Sequence, residues 1–165
     1  GGQGGQSVAI ADVFAAKSLR VPPLSEGSQV RISEYFKLVG ASAANPIDLG
    51  SNVKDMDRTL DILEEDPGVN LIGMQIGVLS DQKRHLEMHR AQMESLKRTL
   101  RRGVKPVIAI PNSVTPYEHA EILGETQREL QDSGIPCFPT YERAAMAIRR
   151  AVDYHQSRNA ISIRS

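Results

Sequence analysis

Val69–Gly77, VNLIGMQIG, is the stretch whose reading decides the fold. It is nearly continuous in apolar residues, and a strand apolar on both faces belongs in a parallel sheet covered by helices on each side. Its flanks agree. Upstream, Met56, Leu60, Ile62 and Leu63 fall at helical spacing, and Asp66-Pro67-Gly68 stops that helix. Downstream, Ser80 or Asp81 caps a long helix carrying Leu86, His89, Met93, Leu96 and Leu100, which Gly103 ends after Arg102. Val107–Ile110 is then a second buried strand, closed by the turn Pro111-Asn112-Ser113.

The alternation continues in both directions. Tyr117 to Ser133 reads as a helix with Gly134 behind it, Ile135–Phe138 as a short strand, and Thr140 as the cap of a last helix through His155. Residues 156–165 form a C-terminal tail, a strand or no element at all. Toward the amino end, Asn45–Gly50 reads as a very short strand that places Asp48 near its carboxyl end. Ser25 caps a helix over Ser28–Leu38, and Pro22-Pro23 bars helix in the connector before it. The first helix starts near Ser7, with Ile10, Val13, Phe14 and Lys17 at helical spacing. Strands alternating with helices imply right-handed crossovers, and such sheets bind ligands at the carboxyl ends of their strands.

In front of the first helix stands GGQGGQS, residues 1–7. The unpaired amides and positive dipole end of a helix, reached through glycines without side chains, make an anion cradle. The run is neither a Gly-Lys-Ser/Thr phosphate loop nor a dinucleotide fingerprint, and a disordered terminus has the same composition. The rim loops that converge with it carry Asn45, Asp48, Gly77 and Asn112.

Composition excludes several classes. The chain has 165 residues, enough for one domain with a core, and 20 acidic against 20 basic residues, so no global field recruits nucleic acid or an anionic membrane. One cysteine, Cys137, excludes a disulfide framework and a Cys-rich zinc site, and its apolar surroundings point to a buried thiol. No apolar run reaches a membrane span and no secretory leader pattern is present, so a cytoplasmic protein is expected. His85 and His89 stand at i, i+4, but without a third ligand His89 reads as a packed histidine. Lys97, Arg98, Arg101 and Arg102 read as a solvated basic helix end that complements the dipole, in preference to a phosphate patch.

The order of these features carries a resemblance. A glycine loop opens a helix with an Asp (Gly1–Asp12), followed by Asn-Pro-Ile-Asp-Leu (Asn45–Leu49), Asp66-Pro67 and Lys105-Pro106 each before an apolar strand, Gly134-Ile135-Pro136, and Tyr141-Glu-Arg-Ala-Ala145. In this order they resemble the flavodoxin-like domain of the nucleoside-diphosphate-forming acyl-CoA synthetases of the acetate–CoA ligase type, and more distantly the carboxyl-terminal domain of the succinyl-CoA synthetase β subunit. The resemblance covers residues 1–155. It implies a three-layer sheet of order 2-1-3-4-5 in which the first strand is missing from this chain, so that the isolated chain is expected to lack stability as a monomer. It implies a ligase domain, inactive alone, in which Gly1, Gly2, Gly4, Gly5, Gln6 and Ser7 donate to a phosphoryl group carried by a histidine of another domain. No catalytic residue and no metal ligand is implied in this chain. CoA, ATP or ADP and Mg would be bound by CoA-binding and ATP-grasp domains or subunits of the same ligase, and the substrate would be a small carboxylic acid, with neither nucleic acid nor membrane as partner. An oligomer is expected. Gly77-Val78-Leu79-Ser80-Asp81 departs from the paired glycines that hold succinate, so succinate is not implied. Related domains fused to acetyltransferases supply the alternative, a non-catalytic module that senses an effector or acyl-CoA.

Overall fold

The computed structural model describes residues 4–37, 41–78, 82–113 and 115–162. At its centre lie two parallel strands, β1 (Ile72–Val78) and β2 (Val107–Ser113), in register from Ile72 opposite Val107 to Val78 opposite Ser113. Parallel neighbours need a crossover, and the 20-residue helix α4 (Lys83–Arg102) provides it. Gly103 closes α4 in the left-handed region at φ 67, as expected of a residue without a Cβ.

Helices cover both faces. On one, α3 (Met56–Glu65), α4 and α5 (Ala120–Asp132) enclose Met56, Leu60, Ile72, Ile76, Met93, Leu96, Ala109 and Leu130. Ile76 and Leu96 are wholly buried, and each side chain of this size contributes about 1.5–3 kcal/mol when withdrawn from water. On the other face, Ile108 and Ile110 pack against Ala144 and Ile148 of α6 (Tyr141–Ser162), and α1 (Gly4–Ala15) lies beside α6. A third cluster, Leu24, Ile32, Phe36 and Ile62, seats α2 (Glu26–Ser33) on α3.

Several expectations are corrected. The sheet order implied by the resemblance sets both strands inside the sheet, whereas among the described residues only β2 has neighbours on both sides: its Ala109 amide donates to the Pro136 carbonyl at 2.9 Å and its carbonyl accepts from Phe138 at 3.0 Å. β1 lies at the sheet edge among the described residues. The strand expected over Ile135–Phe138 reduces to one bridge at Cys137, because Pro136 and Pro139 leave few amides for a ladder. The strand expected over Asn45–Gly50 is likewise one antiparallel bridge, in which Ser42 and Asp48 exchange both backbone hydrogen bonds at 2.9 Å. The chain doubles back on itself there and so pairs locally. Gly4 and Gly5 belong to the first turn of α1, which starts three residues before Ser7. Residues 156–162 continue α6 as helix instead of forming a separate strand or tail.

Side-chain pairs fix the outer helices. Arg98 pairs with Asp57, and Arg102 reaches Asp61 at 2.5 Å and Glu64 at 2.7 Å, so the basic end of α4 is neutralised by α3. Lys97 bridges Glu94 and Glu129 of α5. Asp66, at the end of α3, is almost wholly buried; its Oδ2 accepts from the Ser25 amide at 2.8 Å and the Ser25 hydroxyl at 2.9 Å, while Oδ1 accepts from the Gly68 amide at 2.8 Å. The Ser25 hydroxyl in turn caps α2 by accepting from the Ser28 amide. Burial opposes the charge on Asp66, but hydrogen bonds from Ser28, Ser25 and Gly68 outweigh it and hold the carboxyl at about 2.

Candidate functional site at the carboxyl rim of the sheet

The carboxyl ends of β1 and β2 bring together two of the four rim residues expected from sequence, since Gly77 and Asn112 are register partners. The other two take structural roles. Asn45 donates through Nδ2 to the Pro22 carbonyl at 2.9 Å, and Asp48 is buried, with Oδ1 accepting from the Gly50 amide at 3.2 Å.

Gly77 is held from α4. Its amide donates to Gln92 Oε1 at 3.3 Å, and its carbonyl faces His89 Nδ1 at 3.4 Å. His89 Nε2 lies 2.8 Å from Thr126 Oγ1, and that hydroxyl donates to the Ile122 carbonyl at 2.6 Å. Both ring nitrogens therefore meet protein partners, and His89 is a packed histidine that bridges α4, β1 and α5. Burial lowers its pKa; the Gly77 carbonyl and Glu129 oppose the shift, and Arg90 adds to it. No group of three or more potential metal ligands occurs among the described residues.

Beyond β2 the loop is tied by a histidine that sequence reasoning passed over. His119, buried at the start of α5, has Nδ1 2.7 Å from Ser113 Oγ and 3.3 Å from Thr115 Oγ1, and the Thr115 amide donates to Ser113 Oγ at 3.1 Å. Its signal was faint: a histidine six residues after a strand-end serine, with Pro116 between. Tyr117, on the same loop, is 97% exposed.

The helix α4 begins at this rim, since in a parallel sheet a helix starts where the strand before it ends. α4 opens with Lys83 and Arg84 and has no acidic residue in its first turn, so fixed positive charge adds to the dipole there. α1 opens at Gly4, and the amides of Gly4, Gly5 and Gln6 fall within the first turn, where helix geometry gives them no intrahelical acceptor. The hydroxyl of Ser7 is buried and has no hydrogen-bond partner among the described residues. Gly1 and Gly2 lie outside the described residues. Cys137, expected to be buried, is half-buried, and burial pushes its thiol up to about 11.

These features define an α/β domain built on a two-stranded parallel sheet. The same fold occurs in the crystal structure of PH0766 from Pyrococcus horikoshii OT3, with a TM-score of 0.72 over 90% of this chain at 23% identity. The chain spans about a third, 33%, of the length of PH0766. No family model and no curated protein matches the sequence. Among the described residues no helix is long and apolar enough to cross a membrane.

Proposed function

We propose that the chain is one domain of an acid–CoA ligase of the nucleoside-diphosphate-forming type, and that the amino end of α1 cradles the phosphoryl group passed between acyl phosphate and a histidine of another domain. The observation that carries this reading is the start of α1 inside the glycine run, with the buried Ser7 hydroxyl in its first turn lacking a partner among the described residues. A buried hydroxyl without a partner costs about 1–3 kcal/mol, and an oxyanion at the helix end would accept a hydrogen bond from it. The amides of Gly4, Gly5 and Gln6 would donate to the same group, and Gly1 and Gly2 would let it approach the backbone. Fixed donors of this kind lower a barrier because they are aimed at charge that develops during transfer. Gly77 and Asn112 would line the adjoining seat of a small carboxylic acid. CoA, nucleotide and Mg would be bound by CoA-binding and ATP-grasp partners, which fits a chain that spans a third of PH0766. On this reading the sheet has the order 2-1-3-4-5 and the ligase is cytoplasmic. The Ser42–Asp48 segment stands at position 2, β1, β2 and Cys137 follow at 3, 4 and 5, and position 1 is filled from outside the described residues.

The test replaces Ser7 or Gly5 with Glu in the enzyme reconstituted with its CoA-binding and ATP-grasp domains. Phosphoryl transfer should be lost while the circular dichroism spectrum and melting temperature stay near those of the parent. Transfer at the parent rate would overturn the assignment, and CoA turnover without any ATP-grasp partner would overturn the ligase reading itself.

A further inference from the structure

A threonine hydroxyl has one proton to give, so the direction in which it donates fixes what its other neighbour must supply. Thr126 Oγ1 donates to the Ile122 carbonyl at 2.6 Å and stands 2.8 Å from His89 Nε2. Its oxygen is therefore the acceptor in that second contact, and Nε2 carries the proton of the neutral ring. Nδ1 is left with a lone pair, and what it faces at 3.4 Å is another acceptor, the Gly77 carbonyl. Two acceptors do not bond. His89 and Thr126 are both buried, so the ring sits in a cage with an acceptor at each nitrogen, and only a doubly protonated imidazole satisfies both.

We infer that His89 is a proton-gated clamp on the rim end of β1: a proton taken up at Nδ1 turns the Gly77 contact into a charge-assisted N–H···O=C bond that ties the strand end to α4 and α5, and loss of that proton releases the carbonyl. Gln92, one turn along α4, already holds the Gly77 amide at 3.3 Å, so protonation adds a second tie from the same helix. Burial is the strongest influence on the ring and opposes the proton; the Gly77 carbonyl and Glu129 of α5 favour it, and Arg90 of α4 opposes it. Lys97 of α4 shares Glu129 at 2.5 Å, and β1 contributes no ionisable side chain from Ile72 to Val78. The clamp is therefore open at neutral pH and closes in mild acid, below 6.5. Gly77 stands at the carboxyl end of its strand, where open parallel sheets bind ligands, so a ligand that needs this carbonyl as acceptor competes with the protonated ring. Nothing in the clamp depends on the ligase assignment or on Ser7.

NMR of the full chain between pH 7.5 and pH 5 tests the inference. At pH 7.5 the ring nitrogen shifts of His89 should show the proton on Nε2 and a bare Nδ1. On acidification Nδ1 should take up a proton and the Gly77 carbonyl carbon should move downfield on the same titration curve. The Gly77 amide, corrected for its intrinsic exchange rate, should gain protection by at least about tenfold. His89→Gln should abolish the carbonyl titration, whereas His85→Gln, one turn earlier on α4, should leave it in place. Thr126→Val removes the acceptor for Nε2, so its neutral ring should move the proton to Nδ1 and hold the Gly77 carbonyl already at pH 7.5. A parent ring that carries its proton on Nδ1 at pH 7.5, or that stays neutral to pH 5 in the folded chain, would overturn the clamp. So would a Gly77 carbonyl that ignores the His89 titration, a result read from the parent alone whether or not His89→Gln folds.

Discussion

Removing the carboxylate of Asp66 should destabilise the fold in a way that depends on pH with a definite sign. Asp66 joins the end of α3 to the cap of α2, and its carboxyl is held at about 2 against an ordinary value of 3.8. A folded pKa below the unfolded one means that the unfolded chain binds more protons in acid. The stabilisation is therefore complete above 3.8 and is lost as pH falls through that window toward about 2. The difference of nearly two units corresponds to about 2 kcal/mol. Asp66→Ala loses this and leaves the Ser25 and Gly68 amides without their acceptor, while the Ser25 hydroxyl can turn to Ser28 Oγ at 3.0 Å. Gly68 is exposed and water can replace its bond, so we expect a total loss of about 3 kcal/mol at neutral pH, a large share of the roughly 5–15 kcal/mol of a typical domain. Urea unfolding followed by circular dichroism from pH 7 to pH 2 measures it. The gap between the parent and Asp66→Asn should be widest at neutral pH and shrink below pH 4. A gap that stayed constant across that range would refute the account of a charged, hydrogen-bonded carboxylate, whatever its size.

His89 gives a second and separate pH window: its folded pKa is lowered by burial, so it favours the folded state above 6.5 and this contribution declines as pH falls below 6.5, and His89→Gln should flatten stability between pH 7.5 and 5.5, measured by urea midpoints. Thr126→Val in the same bridge should cost about 1 kcal/mol and lower the His89 proton affinity seen by NMR titration, because the Thr126 hydroxyl, donating to the Ile122 carbonyl, is the acceptor for the ring N–H. Tyr141 is held by burial at a pKa of about 12 with its hydroxyl buried and unpartnered among the described residues, so Tyr141→Phe should leave the melting temperature unchanged or raise it; a clear drop would show that the hydroxyl is bonded after all.

The helices around β1 and β2 were legible because each carries its own local signal. Met56, Leu60 and Leu63 repeat at helical spacing, Asp66-Pro67-Gly68 and Gly103 stop their helices, and Ser25 and Thr140 cap theirs, the latter accepting from the Arg143 amide at 3.3 Å. The sheet was legible only in part. Apolar runs announced β1 and β2, but the segments at Asn45–Gly50 and Ile135–Phe138 shrank to single bridges because pairing needs an aligned neighbour as well as propensity. The rim was less legible still. Gly77 and Asn112 are register partners at the strand ends, whereas Asn45 and Asp48 are absorbed into local bonds that nothing in their spacing announced.

The sequence by itself determined the alternation of strands and helices, the stops and caps, and the glycine run at the head of α1, because these depend on side-chain period and on backbone preferences within a few residues. Only the tertiary structure decided that β2 has neighbours on both sides, that β1 lies at the sheet edge among the described residues, and that His89, Gln92 and His119 hold the rim. Those facts are contacts between residues up to 37 positions apart, as in His89 with Thr126, and they follow from how layers stack around the sheet. A histidine on an apolar stripe has the same sequence whether it meets a hydroxyl, a carbonyl or water, and only packing selects among them.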